Sequence, residues 1–180
     1  MLRAGSFWAL MIIVVVCGCT QVASVTPVGE RPQEISHDDW DGTWLNKEQP
    51  VKIRVVDQKK GVLEVAWTEE KGGRFVLESY QIEMWQAGEW TFGNFKTKES
   101  PATYLWGLVK NDQGQIIVWT PDQAYFSKLV QTGVLPGNVD KGGDVVLKKL
   151  TSEHLKVMMS EARGVCFNWK TPIVFFRVGK

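Results

Sequence analysis

From Trp40 onward the apolar residues of this chain recur every second position, in short runs broken by turn residues. Val51, Ile53 and Val55 alternate with Lys52 and Arg54 before Asp57-Gln58-Lys59-Lys60-Gly61. Leu63, Val65 and Trp67 then alternate with Glu64, Ala66 and Thr68, ahead of Glu69-Glu70-Lys71-Gly72-Gly73. Successive side chains of a strand point to opposite faces, so such runs are strands with one buried and one wet face. Further runs cover 74–86, 90–96, 104–110 and 115–120, with turns at Ala87-Gly88 and at 111–114. Strands joined by such short turns pair antiparallel, because parallel neighbours need a long crossover.

One helix interrupts the series, near residues 121–132. Thr120-Pro121-Asp122-Gln123 offers a capping hydroxyl, a proline for the first helical position and a glutamine three residues after the cap. Gly133 is a natural stop. Strands are expected again at 145–147, 154–160, 165–169 and 173–178. Thr151-Ser152-Glu153 could open a helix, but Leu155, Val157 and Met159 alternate, which favours a strand. About ten short strands, one helix and no internal repeat define an all-β domain. Closure into a barrel removes the free edges of so long a sheet and is preferred to a sandwich.

The first residues follow a different logic. Arg3 precedes an unbroken apolar run at 7–16, and Cys17-Gly18-Cys19 follows, the layout of a secretory signal. Ten apolar residues cover only about half of a hydrocarbon core of roughly 30 Å, so a membrane-spanning helix is the weaker reading. Val16-Cys17-Gly18-Cys19 resembles the lipobox of bacterial lipoprotein precursors. The resemblance implies cleavage after Gly18, a diacylglyceryl thioether and an amide-linked acyl chain on Cys19, and, with Thr20 rather than Asp next, a place on the outer membrane facing the periplasm. Several acyl chains make such an anchor stable. Residues 20–39 carry Ser, Thr, Gln, Glu, Pro and Gly with little periodicity and read as a flexible tether. The expected organisation is a signal peptide over 1–18, a lipidated Cys and tether over 19–39, and a barrel over 40–180.

A second resemblance lies at the start of that barrel. Asp41-Gly42-Thr43-Trp44-Leu45 is similar to the Gly-x-Trp motif that opens lipocalins and related calycin barrels, and Arg177 in Phe175-Phe176-Arg177-Val178 matches the arginine that packs over that tryptophan. The resemblance implies an up-and-down antiparallel barrel holding a small, usually apolar ligand, with Trp44 and Arg177 as a structural pair at its closed end. The family's main helix normally follows the last barrel strands, whereas the helix here precedes them.

Composition narrows the function classes. Removing residues 1–18 takes away Arg3 and no acid, leaving 20 basic against 20 acidic residues with no basic block, which excludes the usual nucleic-acid footprint. Eight of the nine tryptophans remain. Indoles suit an apolar ligand inside a barrel and equally suit a packed core. Trp67, Trp106 and Trp119, within predicted strands, are the candidate ligand contacts. Cys166, between Val165 and Phe167, reads as a buried small hydrophobe. No Gly-rich phosphate loop, nucleophile elbow or metal-spaced Cys/His set is present, so no catalytic residue, metal ligand or cofactor site is assigned. Two function classes lead: an envelope lipoprotein binding a hydrophobic small molecule, and a non-enzymatic module holding a protein or peptidoglycan partner at the outer membrane. An enzyme using unrecognised barrel-lining residues is a third.

Overall fold

The computed structural model describes residues 21–160 and 166–179; the expected signal peptide over 1–18 and the expected lipidation site Cys19 lie outside them. Eight strands form a closed antiparallel up-and-down barrel. They are β3 (Gly42–Asn46), β4 (Gln49–Asp57), β5 (Val62–Lys71), β6 (Arg74–Ala87), β7 (Trp90–Lys96), β8 (Tyr104–Asp112), β9 (Gln115–Trp119) and β12 (Ile173–Val178). Seven follow one another around the wall. The last, β12, lies between β9 and β3 and is antiparallel to both, which closes the ring.

The hairpins explain the register. Gly72 and Gly73 adopt φ of 60° and 76°, the left-handed geometry that a two-residue turn between twisted strands demands, so Lys71 pairs with Arg74 and the whole β5–β6 ladder is set from there. The alternating residues then fall on fixed faces. Val51, Ile53, Val55, Leu63, Trp67 and Met84 turn into the barrel and are buried, while Lys52, Arg54 and Glu64 turn out.

Between β9 and β12 the chain leaves the barrel and builds a lobe on its outer wall. It consists of α2 (Gln123–Gln131), β10 (Gly137–Val139), β11 (Val145–Leu147) and α3 (Ser152–Met159). Phe92, Trp106 and Leu108 occupy the outward positions of β7 and β8, and they form a second core with Phe126, Leu129, Leu135, Leu155, Met158 and Phe167. The molecule therefore has two hydrophobic cores separated by one layer of sheet. Cys166, expected as a buried small hydrophobe, is fully buried in this second core.

The middle helix starts at Gln123 and is capped by the Asp122 carboxylate, which accepts from the Tyr125 amide, not by the Thr120 hydroxyl ahead of Pro121; three larger sequence expectations are also corrected. Residues 154–160 are not a strand: Ser152–Met159 is helical, because the Thr151 hydroxyl accepts from the His154 amide while His154 Nδ1 accepts from the Thr151 amide. That reciprocal cap satisfies two amides that a helix start leaves open. Leu155 and Met158, three apart, are the buried pair. The described part of 165–169 is not a strand either; it is held to the barrel by an isolated bridge between Pro121 and Phe167.

The third correction concerns the tether. Its described part, 21–39, is folded onto the barrel. Residues Val22–Ser24 form β1, fully buried, antiparallel to β8 and parallel to β11. Arg31–Pro32 form β2 against β6, and His37–Trp40 form the short helix α1. The strap between β1 and β2 is fixed by buried Asn94 of β7. Its Oδ1 accepts from the Val28 amide at 2.7 Å, and its Nδ2 donates to the Val28 carbonyl at 3.1 Å. Further along, Gln33 pairs with Met84 so tightly that a Cβ on Gly61 would lie 2.3 Å from the Gln33 carbonyl oxygen. Including β1, β2, β10 and β11, the described residues carry twelve strands and three helices, where about ten strands and one helix were expected.

Replacing Asn94 with Ala strands the amide and carbonyl of Val28, each worth roughly 1–3 kcal/mol when buried without a partner. Asn94→Ala is expected to lower the unfolding free energy by about 2–4 kcal/mol in urea titration and to free the 25–33 strap for early hydrogen exchange.

Candidate functional site

Inside the barrel lies a cavity of about 240 Å³, and its wall is almost wholly apolar. Two glycines help to open it. Gly93 on β7 and Gly107 on β8 sit directly opposite one another at inward positions, so two neighbouring wall positions send no side chain inward. A Cβ on Gly93 would stand 3.1 Å from a Val109 methyl and 3.4 Å from an Ile82 methyl. Around this gap stand Ile53, Leu63, Val65, Ile82, Met84, Val109, Ile116, Val118 and Phe175.

One end is shut. Trp40, from α1, borders the cavity there and is 7% exposed. Its carbonyl accepts from the Trp44 indole N–H at 3.0 Å. Trp44 is fully buried, and the Arg177 guanidinium lies over its ring, 5.3 Å from the centroid. Arg177 also donates to the carbonyls of Asp38 and Asp41, tying β12 to both ends of α1. Asp41 adds a further tie. Burial works against its charge, but the Val55 amide and the His37 ring both bond the carboxylate and hold its pKa below the usual 3.8.

The other end carries an aromatic collar beneath charged groups. Trp67 and Tyr80 stack at 5.0 Å with their planes 14° apart, and Phe95 meets Tyr80 edge-on at 5.0 Å. The Lys98 ammonium sits over the Tyr80 ring, also at 5.0 Å. Glu78 bonds Lys71 at 2.7 Å, and this hydrogen bond holds the Glu78 carboxyl below and the Lys71 ammonium above their ordinary pKa values. Burial, aided by the Glu78 charge, pushes the Tyr80 phenol upward. An occupant thus meets hydrocarbon and aromatic faces along its body and cationic and anionic groups at the mouth.

The three candidate tryptophans have different places. Trp67 lines the cavity. Trp106 borders it, but its ring packs outward against Phe92, Phe126 and Phe167, at 6.0, 5.4 and 6.0 Å. Trp119 is on the outer side, half-buried, 5.1 Å from the ring of Trp169. Tyr80, Phe95, Trp40 and the glycine pair are cavity residues that sequence reasoning missed. The hairpin register held the signal: once Gly93 faces Gly107, the inward side of that wall is open.

A second cleft, about 1050 Å³, lies outside the closed end beyond Trp40. It is lined by polar groups, among them Glu34, Asp38, Asp39, Glu89, Lys110 and Asp112. No group of three or more His, Cys, Asp or Glu side chains among the described residues could hold a metal ion.

Comparison with known proteins finds no matching family model, no matching curated protein and no matching solved structure.

Two outcomes follow for the closed end. Arg177→Met removes the cation over Trp44 and two bonds to α1, and is expected to cost about 1–2 kcal/mol of stability in urea titration. Asp41 has a lowered pKa in the folded state, so it stabilises the fold above its unfolded value and loses that contribution as pH falls through the folded one. The stability gap between the native protein and Asp41→Asn is therefore expected at about pH 6 and to shrink below about pH 4, as followed by thermal melts across that range.

Proposed function

We propose that the protein is an envelope lipoprotein whose barrel binds a small, predominantly apolar molecule, in the manner of the lipocalin-like barrels that its Gly42-Thr43-Trp44 and Arg177 resemble. The observation that carries this reading is the cavity itself. A well-packed core leaves few voids larger than a water molecule, whereas this one measures about 240 Å³, the share of roughly eight waters at about 30 Å³ each. An apolar hollow of that size is costly as empty space and favours an occupant that brings its own contacts. It sits just below the usual span of ligand pockets, about 300–1,000 Å³. A single acyl chain of medium length or a small ring system fits; a sterol does not.

The mouth defines the other half of the ligand. Lys71, Lys98 and Glu78 stand above the Trp67–Tyr80 stack, so the occupant is an amphiphile with its polar head at the rim. The resemblance of Val16-Cys17-Gly18-Cys19 to a lipobox supports the envelope half of this reading: a lipid on Cys19 would hold the domain on the periplasmic side of the outer membrane, beside a source of such molecules.

A second reading, a module that holds a protein or peptidoglycan partner, draws on the β5–β6 hairpin. Beyond Trp67 and Tyr80 this ribbon runs past the last pairings of β4 and β7. Its tip exposes Phe75 at 78% and Leu77 at 72%. Unpaired edges with exposed apolar side chains are places where other chains add.

Native mass spectrometry of the domain purified from its own host is expected to show a retained small amphiphile. Val65→Phe, which fills the cavity from β5, is expected to weaken its retention about tenfold or more, equivalent to about 1.4 kcal/mol, with the thermal melt kept as a check on folding. A protein that retains nothing, and whose Val65→Phe form binds a medium-chain fatty acid as the native form does, excludes the ligand-binding reading. Retention lost instead in Phe75→Ser with Leu77→Ser, as capture of an envelope protein, supports the second.

A further inference from the structure

The place where the chain enters the fold is fixed by a continuous series of hydrogen bonds. Gln21 is bonded on both sides: its amide donates to Asp144 Oδ1 at 2.8 Å, and its carbonyl accepts from the Val145 amide at 2.9 Å. The adjacent Gly143 carbonyl accepts from the Gln123 side chain at the start of α2. The residues just before α2 are in turn bonded to the segment that carries Trp169. The Asp122 amide donates to the Cys166 carbonyl, and Asn168 donates to the Thr120 carbonyl and hydroxyl. Strand pairing agrees. β1 and β9 lie end to end along one edge of β8, with Ala23 opposite Leu105 and Trp119 opposite Leu108.

A group of indoles stands at this junction. Trp169 is 41% exposed, 5.1 Å from Trp119 and 6.3 Å from Trp90, both half-buried. Cys19 is two residues from Gln21, so the Cα atoms are at most about 7 Å apart. A tether of twenty free residues would let the domain tumble at a distance from its anchor; a leash of two does not. Indole rings favour the boundary between headgroups and hydrocarbon, where the ring is half dry and its N–H stays wet.

We propose that the Trp119–Trp169 face rests in the headgroup region of the bilayer beside the acylated Cys19, holding the barrel in one orientation on the membrane. This rests on the lipoprotein reading of Cys19. The β5–β6 ribbon then stands on the wall across the ring from the bilayer, because β5 and β9 occupy opposite sides of the eight-stranded ring.

The test uses the full acylated chain in vesicles of phosphatidylethanolamine and phosphatidylglycerol. Mass spectrometry first reads the acylation of Cys19. Vesicles with brominated acyl chains are expected to quench part of the tryptophan emission. That part is expected to fall by more than half in Trp169→Phe with Trp119→Phe, and to persist in Trp67→Phe. A second pair of variants leaves the indoles in place: Lys170→Cys or Glu70→Cys, each labelled with an environment-sensitive dye. The label at 170 is expected to shift to the blue on membranes and the label at 70 to stay as in water. An unacylated Cys19 overturns the lipoprotein reading and this inference with it. An acylated chain whose tryptophans are not quenched, or whose label at 170 stays as in water, overturns the orientation alone.

Discussion

The structure depends on one closing strand. β12 is hydrogen-bonded to β9 on one edge and to β3 on the other, and without it the wall would be an open sheet with two bare edges. Its six residues also carry the devices that hold the closure. The Asn46 side chain reaches across to the Val174 carbonyl at 2.8 Å. Arg177 covers Trp44 and anchors α1. Closing the ring and sealing one of its ends are therefore a single event in this chain, achieved by residues more than a hundred positions apart.

Closure creates the two environments that give the protein its character. Outward residues of β7 and β8 need cover, and the excursion between β9 and β12 supplies it, with Phe126, Leu155 and Phe167 packed over Phe92 and Trp106. Inward residues have only one another. There the facing glycines at 93 and 107 leave space that larger neighbours do not fill, and the result is an apolar hollow between the Trp40 floor and the Trp67–Tyr80 collar. The N-terminal strap contributes as well, because Asn94 clamps it across the outer wall and α1, at its end, brings Trp40 to the floor.

Much of the barrel was legible because alternation is a local signal. Val51 to Val55 and Leu63 to Trp67 state their faces without reference to the rest of the chain. Elements that depend on distant partners were not legible. Val22 to Ser24 is too short to show a period, and it becomes a strand only because β8 and β11 present edges on either side. The 152–159 segment satisfies both periods, since Leu155 and Met159 fit an alternation as well as a helical stripe; the reciprocal bonds of Thr151 and His154 decide for the helix. The cavity was half legible. Trp67 stood out by type and position, but the same criterion selected Trp106 and Trp119, whose inward or outward sense needed the β7–β8 and β8–β9 registers.

We propose that the barrel interior is a binding space and not merely an imperfect core. Methyl-resolved nuclear magnetic resonance during titration with a medium-chain fatty acid tests it most directly. Shifts are predicted at the interior methyls of Val51, Val65, Val109 and Val118, saturating together, with those of Leu129, Leu147 and Leu155 in the outer core unmoved. Interior methyls that do not respond, or a response confined to the outer core or to the exposed ribbon at Leu77, would contradict it.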